Sequence, residues 1–297
     1  MKDIQVLHYD AFTSTPHMGN PAGVVLQADH LSHDQMQEIA KRVGFNETVF
    51  VTASDHADLR LTYFTPGHEI NLCGHATIAS LYAMKSRGLL GNVKNIMIET
   101  NIGILPIEFS SDNPVHIRMK QGNPQFNLFT GDMERLFHAM GLSADEWDKD
   151  FPVVYGSTGT WTVLIPLKEL ASFGKMKPNN HLFPDILKEN SKASLHPFCM
   201  STFDKAAHMH ARHFSSPYSG TVEDPITGTA SGVMGAYYLT YIKPELNDVQ
   251  LVIEQGQEVN RDGKVFVHAI KRNRNLIDIY ISGTAVFVGE IDRRTFI

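Results

Sequence analysis

Leu72-Cys73-Gly74-His75-Ala76-Thr77-Ile78-Ala79-Ser80 and Thr227-Gly228-Thr229-Ala230-Ser231-Gly232-Val233-Met234-Gly235 follow one plan. In each, a glycine and a small polar residue lead into small residues and then an apolar stripe, which predicts a turn entering the first turn of a helix. The upstream context repeats too. Tyr63-Phe64-Thr65-Pro66 precedes the first copy and His213-Phe214-Ser215-Ser216-Pro217 the second. An aromatic strand end, a proline-marked turn and a helix start thus occur twice, which is an internal repeat. Phe64 stands ten residues before Gly74 and Phe214 fourteen before Gly228, so the copies differ by a loop insertion. Solenoids need roughly three or more units, so two units imply paired lobes.

A helix N-terminus carries unpaired N–H groups and partial positive charge. Two such termini aimed at a shared cleft would hold a carboxylate or other anion. The competing reading is that the small residues only let two helices enter their cores closely.

The 297-residue length is comfortable for two lobes, and 42% hydrophobic with 20% charged residues describes an ordinary globular composition. A formal charge of −6 and the absence of Lys/Arg runs interleaved with aromatics argue against nucleic acid as a partner. No apolar run approaches the eighteen or so residues of a spanning helix, so no membrane role is expected. Met1-Lys2-Asp3-Ile4-Gln5-Val6 enters a strand-like run without a signal-peptide core. Cys73 and Cys199 are too few for a disulfide framework, which together with that start predicts a cytoplasmic protein. No linear metal-binding spacing occurs, although His208, His210 and His213 could gather around an ion by chance.

Along the chain, Ile4 to Tyr9 and Ala22 to Leu26 read as strands around the turn-rich Gly19-Asn20-Pro21, whose Asn20 amide could face a ligand. Ser32 or Asp34 caps a helix through Val43, and Gly44 stops it. Further helices are expected over 75–87, 132–140, 182–190 and 229–241, with strands between them in a similar order in both halves. Gln121-Gly122-Asn123-Pro124 is the expected linker.

Glu47, His75 and Asp224 are the candidate acid/base residues. Glu47 opens a strand beside Phe45, Val49 and Phe50, where partial desolvation would suit it to proton transfer; the alternative is a solvated strand start. Asp224-Pro225 hands on to the second helix start, where Asp224 either joins the cleft or only caps the turn. Cys73 precedes a helix N-terminus, an environment that activates thiols. Thr227 occupies the matching place in the second copy, so a symmetric two-thiol mechanism is absent and Cys73 reads as a small buried residue.

Asp10-Ala11-Phe12 with Gly19-Asn20-Pro21-Ala22, Asn46-Glu47-Thr48, Phe64-Thr65-Pro66 with Leu72 to Thr77, Glu223-Asp224-Pro225 with Thr227 to Ala230, and Gln255-Gly256 with Arg261 and Gly263 resemble the PhzF (phenazine biosynthesis) family. The resemblance spans the whole chain. It implies an α+β, diaminopimelate epimerase-like fold of two pseudo-symmetric lobes, each a β-barrel-like sheet wrapped around a central helix. The expected lobes are 1–120, completed by about 286–297, and 121–285. It also implies a cofactor-independent isomerase that shifts a proton on a small carboxylic acid bound between the lobes. Glu47 would shuttle the proton, with His75 and Asp224 beside it. Asn20, Cys73, Gly74, Gly228, Thr229 and Ala230 would bind the substrate. No metal is expected, and the expected assembly is a homodimer. A non-catalytic carboxylate-binding protein that keeps the cleft is the alternative. His17, Thr62, Ser231-Gly232 and Asn260 depart from the family pattern and point to a different substrate choice.

Overall fold

The computed structural model describes residues 4–273 and 276–292, so expectations for Met1, Lys2, Asp3 and 293–297 lie outside the described residues. The first half runs β1 (Leu7–Ala11), β2 (Asn20–Val25), α1 (His33–Val43), β3 (Glu47–Thr52), β4 (Leu59–Phe64), β5 (Glu69–Ile70), α2 (Gly74–Ser86), β6 (Asn95–Thr100), β7 (Gly103–Phe109) and β8 (Ile117–Lys120). Then come β9 (Gln125–Leu128), α3 (Met133–Ala139), β10 (Val154–Ser157), β11 (Trp161–Pro166), α4 (Phe183–Ile186), β12 (Ser194–Cys199) and β13 (Met209–Ala211). The chain continues through α5 (Gly228–Tyr237), β14 (Asp248–Gln255), β15 (Gly263–Asn273), β16 (Leu276–Gly283) and β17 (Ala285–Glu290). The fold is mixed α/β, rich in strands and poor in helices. It divides into two compact units, one holding residues up to Lys120 and from Ser282 onward, the other holding Gln121–Ile281.

In the first unit β1 lies antiparallel between β2 and β17, β2 runs parallel to β3, and β3 is antiparallel to β4. β4 continues parallel to β6, and β6, β7 and β8 form an antiparallel run. Two helices serve this sheet in different ways. α1 is amphipathic, burying Met36, Ile39 and Ala40 with Val25, Phe50 and Phe64. Its ends match the sequence: Ser32 and Gln35 form a capping box, and Gly44 closes the helix in the left-handed conformation. By contrast α2 is buried continuously from His75 to Leu81 and packs on β1, β2, β3 and β17, as a helix apolar on all sides must.

In the second unit β9, β10 and β11 are antiparallel neighbours, β11 is parallel to β12, and β13 to β15 extend the mixed pattern. The central helix here is α5, buried at every position except Thr229 and packed on β10, β14 and β15. Its glycines permit that contact. A Cβ on Gly235 would stand 2.5 Å from Val267 Cγ1, closer than side chains pack.

Three expectations are corrected. The helix expected over 182–190 is a single turn, α4, because Leu187 leaves the helical region at ψ 61°. Asn20 and Pro21 belong to β2 and not to a turn. Pro21 is tolerated because the ladder with β3 begins only at Ala22, leaving this end of β2 paired on one side. Finally, β5 and β9 lie where no strand was expected.

Candidate active site

Glu47 opens β3 and Asn20 opens β2, and the two strands run parallel in register Ala22 to Glu47. Both strands pack on α2, whose first turn carries His75. This places His75 Nε2 3.1 Å from Glu47 Oε2 and Asn20 Nδ2 3.1 Å from His75 Nδ1. Cys73 Sγ lies 3.4 Å from Nδ1 and 3.8 Å from Nε2 of the same ring. Asn20 is fully buried, His75 and Cys73 are 6% and 7% exposed, and the Glu47 side chain reaches 18%, so of the four only Glu47 touches solvent appreciably. At 3.1 Å the Glu47–His75 contact is an ion pair, yet Oε2 makes no hydrogen bond of good geometry although the atom is buried.

Burial disfavours charge on His75, but Cys73 and Glu47 more than offset it, so its pKa stands well above the ordinary imidazole value. Burial likewise pushes the Cys73 thiol up, with the charge of His75 opposing that effect. The helix start is open as well. Cys73 sits at the N-cap of α2 and its side chain makes no capping bond, whereas Ser32 and Asp132 cap α1 and α3. The first-turn N–H groups of α2 therefore lack the capping that those two helices receive from their own N-cap side chains.

The second unit repeats the open start with different chemistry. Thr227 is the N-cap of α5, but its hydroxyl donates 2.6 Å to Asp224 Oδ2 and gives no capping bond. A residue not expected at the site completes the loop: Gln255, 1% exposed, donates from Nε2 to the Asp224 carbonyl at 2.6 Å and accepts from Thr227 N–H at 3.2 Å. Gln255 thus fixes the backbone on both sides of Pro225. Its only sequence signal was membership of the Gln255-Gly256 motif, because the contact spans about thirty residues. Gly256 follows at φ 98°, with the Arg261 carbonyl 2.2 Å from where a Cβ would stand, so no other residue fits this bend. Asn260 takes the left-handed conformation at φ 55°, which asparagine tolerates better than most side chains.

Behind Asp224, whose N–H donates to the His213 carbonyl, His213 Nδ1 lies 3.2 Å from His196 Nδ1. Burial holds His213 at a pKa of about 4 against the pull of Asp224, and burial with the neighbouring His213 holds His196 well below its ordinary value. His210 instead contacts Glu254 and Glu258 at 3.1 Å each. The chance ion site expected from His208, His210 and His213 is therefore not among the donor groups formed by the described residues. The donor group that does form there is Glu47, Cys73 and His75, with ligand atoms within 4.8 Å of one another.

Of the residues expected from sequence, Asn20, Glu47, Cys73, Gly74 and His75 come together in the first unit. Asp224, Gly228, Thr229 and Ala230 come together in the second. Gly74 and Gly228 are the first residues of their helices, Thr229 is partly exposed with its carbonyl bonded by Thr158, and Ala230 is buried.

The model of the PhzC-PhzF family, described as phenazine biosynthesis-like protein, matches residues 9–290. The chain is 51% identical to the uncharacterized isomerase YfhB of Bacillus subtilis over 97% of each chain. It is 30% identical to the trans-2,3-dihydro-3-hydroxyanthranilate isomerase of Pseudomonas chlororaphis, covering 95% of this chain and 97% of that one. The crystal structure of the Bacillus anthracis phenazine biosynthesis protein of the PhzF family matches with a TM-score of 0.95 at 52% identity, covering 98% of this chain and 99% of that one. The two helix starts thus stand in a chain that belongs to the PhzC-PhzF, phenazine biosynthesis-like, family and is an isomerase.

Proposed function

We propose that this isomerase moves a proton within a small cyclic or unsaturated carboxylic acid, using its own side chains and no cofactor. The observation that carries the proposal is Glu47 Oε2 set 3.1 Å from His75 Nε2 beside the uncapped start of α2. A carboxylate that exchanges a proton with substrate needs a partner that tolerates both of its charge states. His75, kept protonated by its surroundings, supplies that partner, and positioned acid/base groups of this kind contribute about 10²–10⁴-fold in rate. The first-turn amides at Gly74 and Gly228 attract the substrate carboxylate, each helix terminus contributing roughly 0.3–1 kcal/mol and up to about 2 when partly buried. Asp224 is the second carboxylate of the site, held by Thr227 and Gln255.

In this reading the two units are the pseudo-symmetric, diaminopimelate epimerase-like lobes, and the substrate binds between them. The protein works in the cytoplasm as a homodimer. The compound in the name of the Pseudomonas relative is a cyclic, unsaturated carboxylic acid, and it is the first to be tried. Thermal shift against small carboxylic acids identifies ligands, and deuterium incorporation from D₂O into each ligand separates enzyme from binder. Incorporation into at least one ligand is expected. Binding without incorporation into any would support the carboxylate-binding alternative.

A further inference from the structure

We propose that Glu47, Cys73 and His75 form a binding site for a thiophilic divalent cation, zinc above all others. A tetrahedral zinc with bonds of about 2.0–2.1 Å to nitrogen, 2.0–2.2 Å to oxygen and 2.3 Å to sulfur sets its ligand atoms roughly 3.4–3.6 Å apart. His75 Nε2 lies 3.1 Å from Glu47 Oε2 and 3.8 Å from Cys73 Sγ, which brackets that spacing, and all three donors fall within 4.8 Å. Cys73 Sγ lies nearer Nδ1, at 3.4 Å, so closing the set requires the thiol to swing toward Nε2.

A separate observation points to a cation here. Glu47 Oε2 is buried and its 3.1 Å contact with His75 Nε2 lacks good hydrogen-bond geometry, so the oxygen faces the cluster without a well-formed hydrogen bond. The outer contact is also in place: Asn20 lies 3.1 Å from the other ring nitrogen, Nδ1. Turned about its amide, Asn20 presents Oδ1 to an Nδ1–H and leaves Nε2 free for the metal, the arrangement that metal-bound histidines commonly use.

The start of α2 opposes a cation with about half a positive charge. Binding releases one proton from the Cys73 thiol and one from the His75 imidazolium to solvent, after which a carboxylate and a metal-bound thiolate set two full negative charges against that half charge. Sulfur and imidazole donors select zinc or cobalt over magnesium. No linear spacing announces the site, because one ligand opens β3 and the other two flank the start of α2. Occupancy would tie up the acid/base pair of the proposed reaction; that consequence rests on the functional reading, while binding itself does not.

Optical titration of the purified chain with Co²⁺ tests the site without any substrate, so its result is independent of whether the isomerase proposal holds. One equivalent should produce the thiolate-to-cobalt charge-transfer band and the visible bands of tetrahedral cobalt. Zn²⁺ should abolish them and Mg²⁺ should not. Cys199→Ser, in the other unit, should keep the bands and Cys73→Ser should lose them. Glu47→Gln, at a partly exposed position, should keep the charge-transfer band with affinity weakened at least about tenfold. Far-ultraviolet circular dichroism checks that each variant is folded. Absence of the bands in the unaltered chain, their persistence in folded Cys73→Ser, or unchanged affinity in Glu47→Gln would each overturn the proposal.

Discussion

The starts of α2 and α5 share a backbone plan and differ in what their side chains do. Each follows an extended N-cap residue whose side chain leaves the helix uncapped. At α2 the neighbours are groups that carry protons: Glu47, Cys73 and a histidine held charged. At α5 the neighbours hold a loop in place: Thr227 and Gln255 bond Asp224 through side chain and backbone, and the nearby His213 is kept neutral by burial. The difference teaches that two helix starts of the same local form can carry different side-chain chemistry. On the proposed function, proton handling falls to the first start, while the second holds the Asp224 loop.

The sharpest way to break this contrast is Asp224→Asn, which keeps an acceptor for the Thr227 hydroxyl but removes the charge. If Asp224 belongs to the acid/base set, the rate of deuterium incorporation into substrate should fall about 10²–10⁴-fold with little change in thermal stability. A rate within roughly threefold of the unaltered enzyme would reduce Asp224 to a turn residue and leave α5 with a purely structural role.

The opposite states of the two histidines predict opposite pH dependences of stability. His213 is neutral in the fold down to about pH 4, while the unfolded chain takes up a proton near the ordinary value of about 6.5. Between those limits the unfolded state binds more protons, so stability should rise with pH, by roughly 3 kcal/mol for this residue. His75 is raised, so its contribution is fully present below about pH 6.5 and is lost as pH climbs through its higher folded value. Denaturant unfolding across pH should therefore show an acid-side slope that flattens in His213→Asn and an alkaline-side slope that flattens in His75→Asn. Slopes unchanged by either variant would remove the electrostatic half of the contrast.

The smallest expected effect concerns the loop at α5. Thr227→Val removes the hydroxyl donor to Asp224 and should cost about 1.5–3 kcal/mol, the range for a hydrogen bond to a charged group. Thr227→Ser should retain nearly all of it. Equal stability of the two variants in chemical denaturation would mean that the hydroxyl does not hold the carboxylate.

What the sequence disclosed was local. Ser32, Gln35 and Gly44 mark both ends of α1 because capping depends on residues within one turn of the helix end. The starts of α2 and α5 were legible for the same reason, through Gly74 and Gly228 followed by unbroken small and apolar residues. Glu47 and His75 were legible as candidates because each stands at or beside the start of an element, and Asn20 through its place in Gly19-Asn20-Pro21. That His75 bridges Asn20 and Glu47 emerged only with the packing of β2 and β3 on α2. Gln255 was invisible as a functional residue, since its two bonds reach across from β14 to the turn around Pro225. The helix expected over 182–190 shows the reverse failure. Its apolar spacing suits a helix, but Phe183, Ile186 and Leu187 are claimed by the core of the second unit, and the chain leaves the helical region after one turn.

The central proposal is that Glu47 transfers the proton. Deuterium incorporation from D₂O into a carboxylic acid that the unaltered enzyme turns over should therefore be compared in Glu47→Gln, a near-isosteric change at a partly exposed position. The expected result is a loss of about 10²–10⁴-fold with ligand binding by thermal shift retained, because the amide keeps the shape of the site and cannot exchange the proton. Incorporation at the unaltered rate would contradict proton transfer by Glu47.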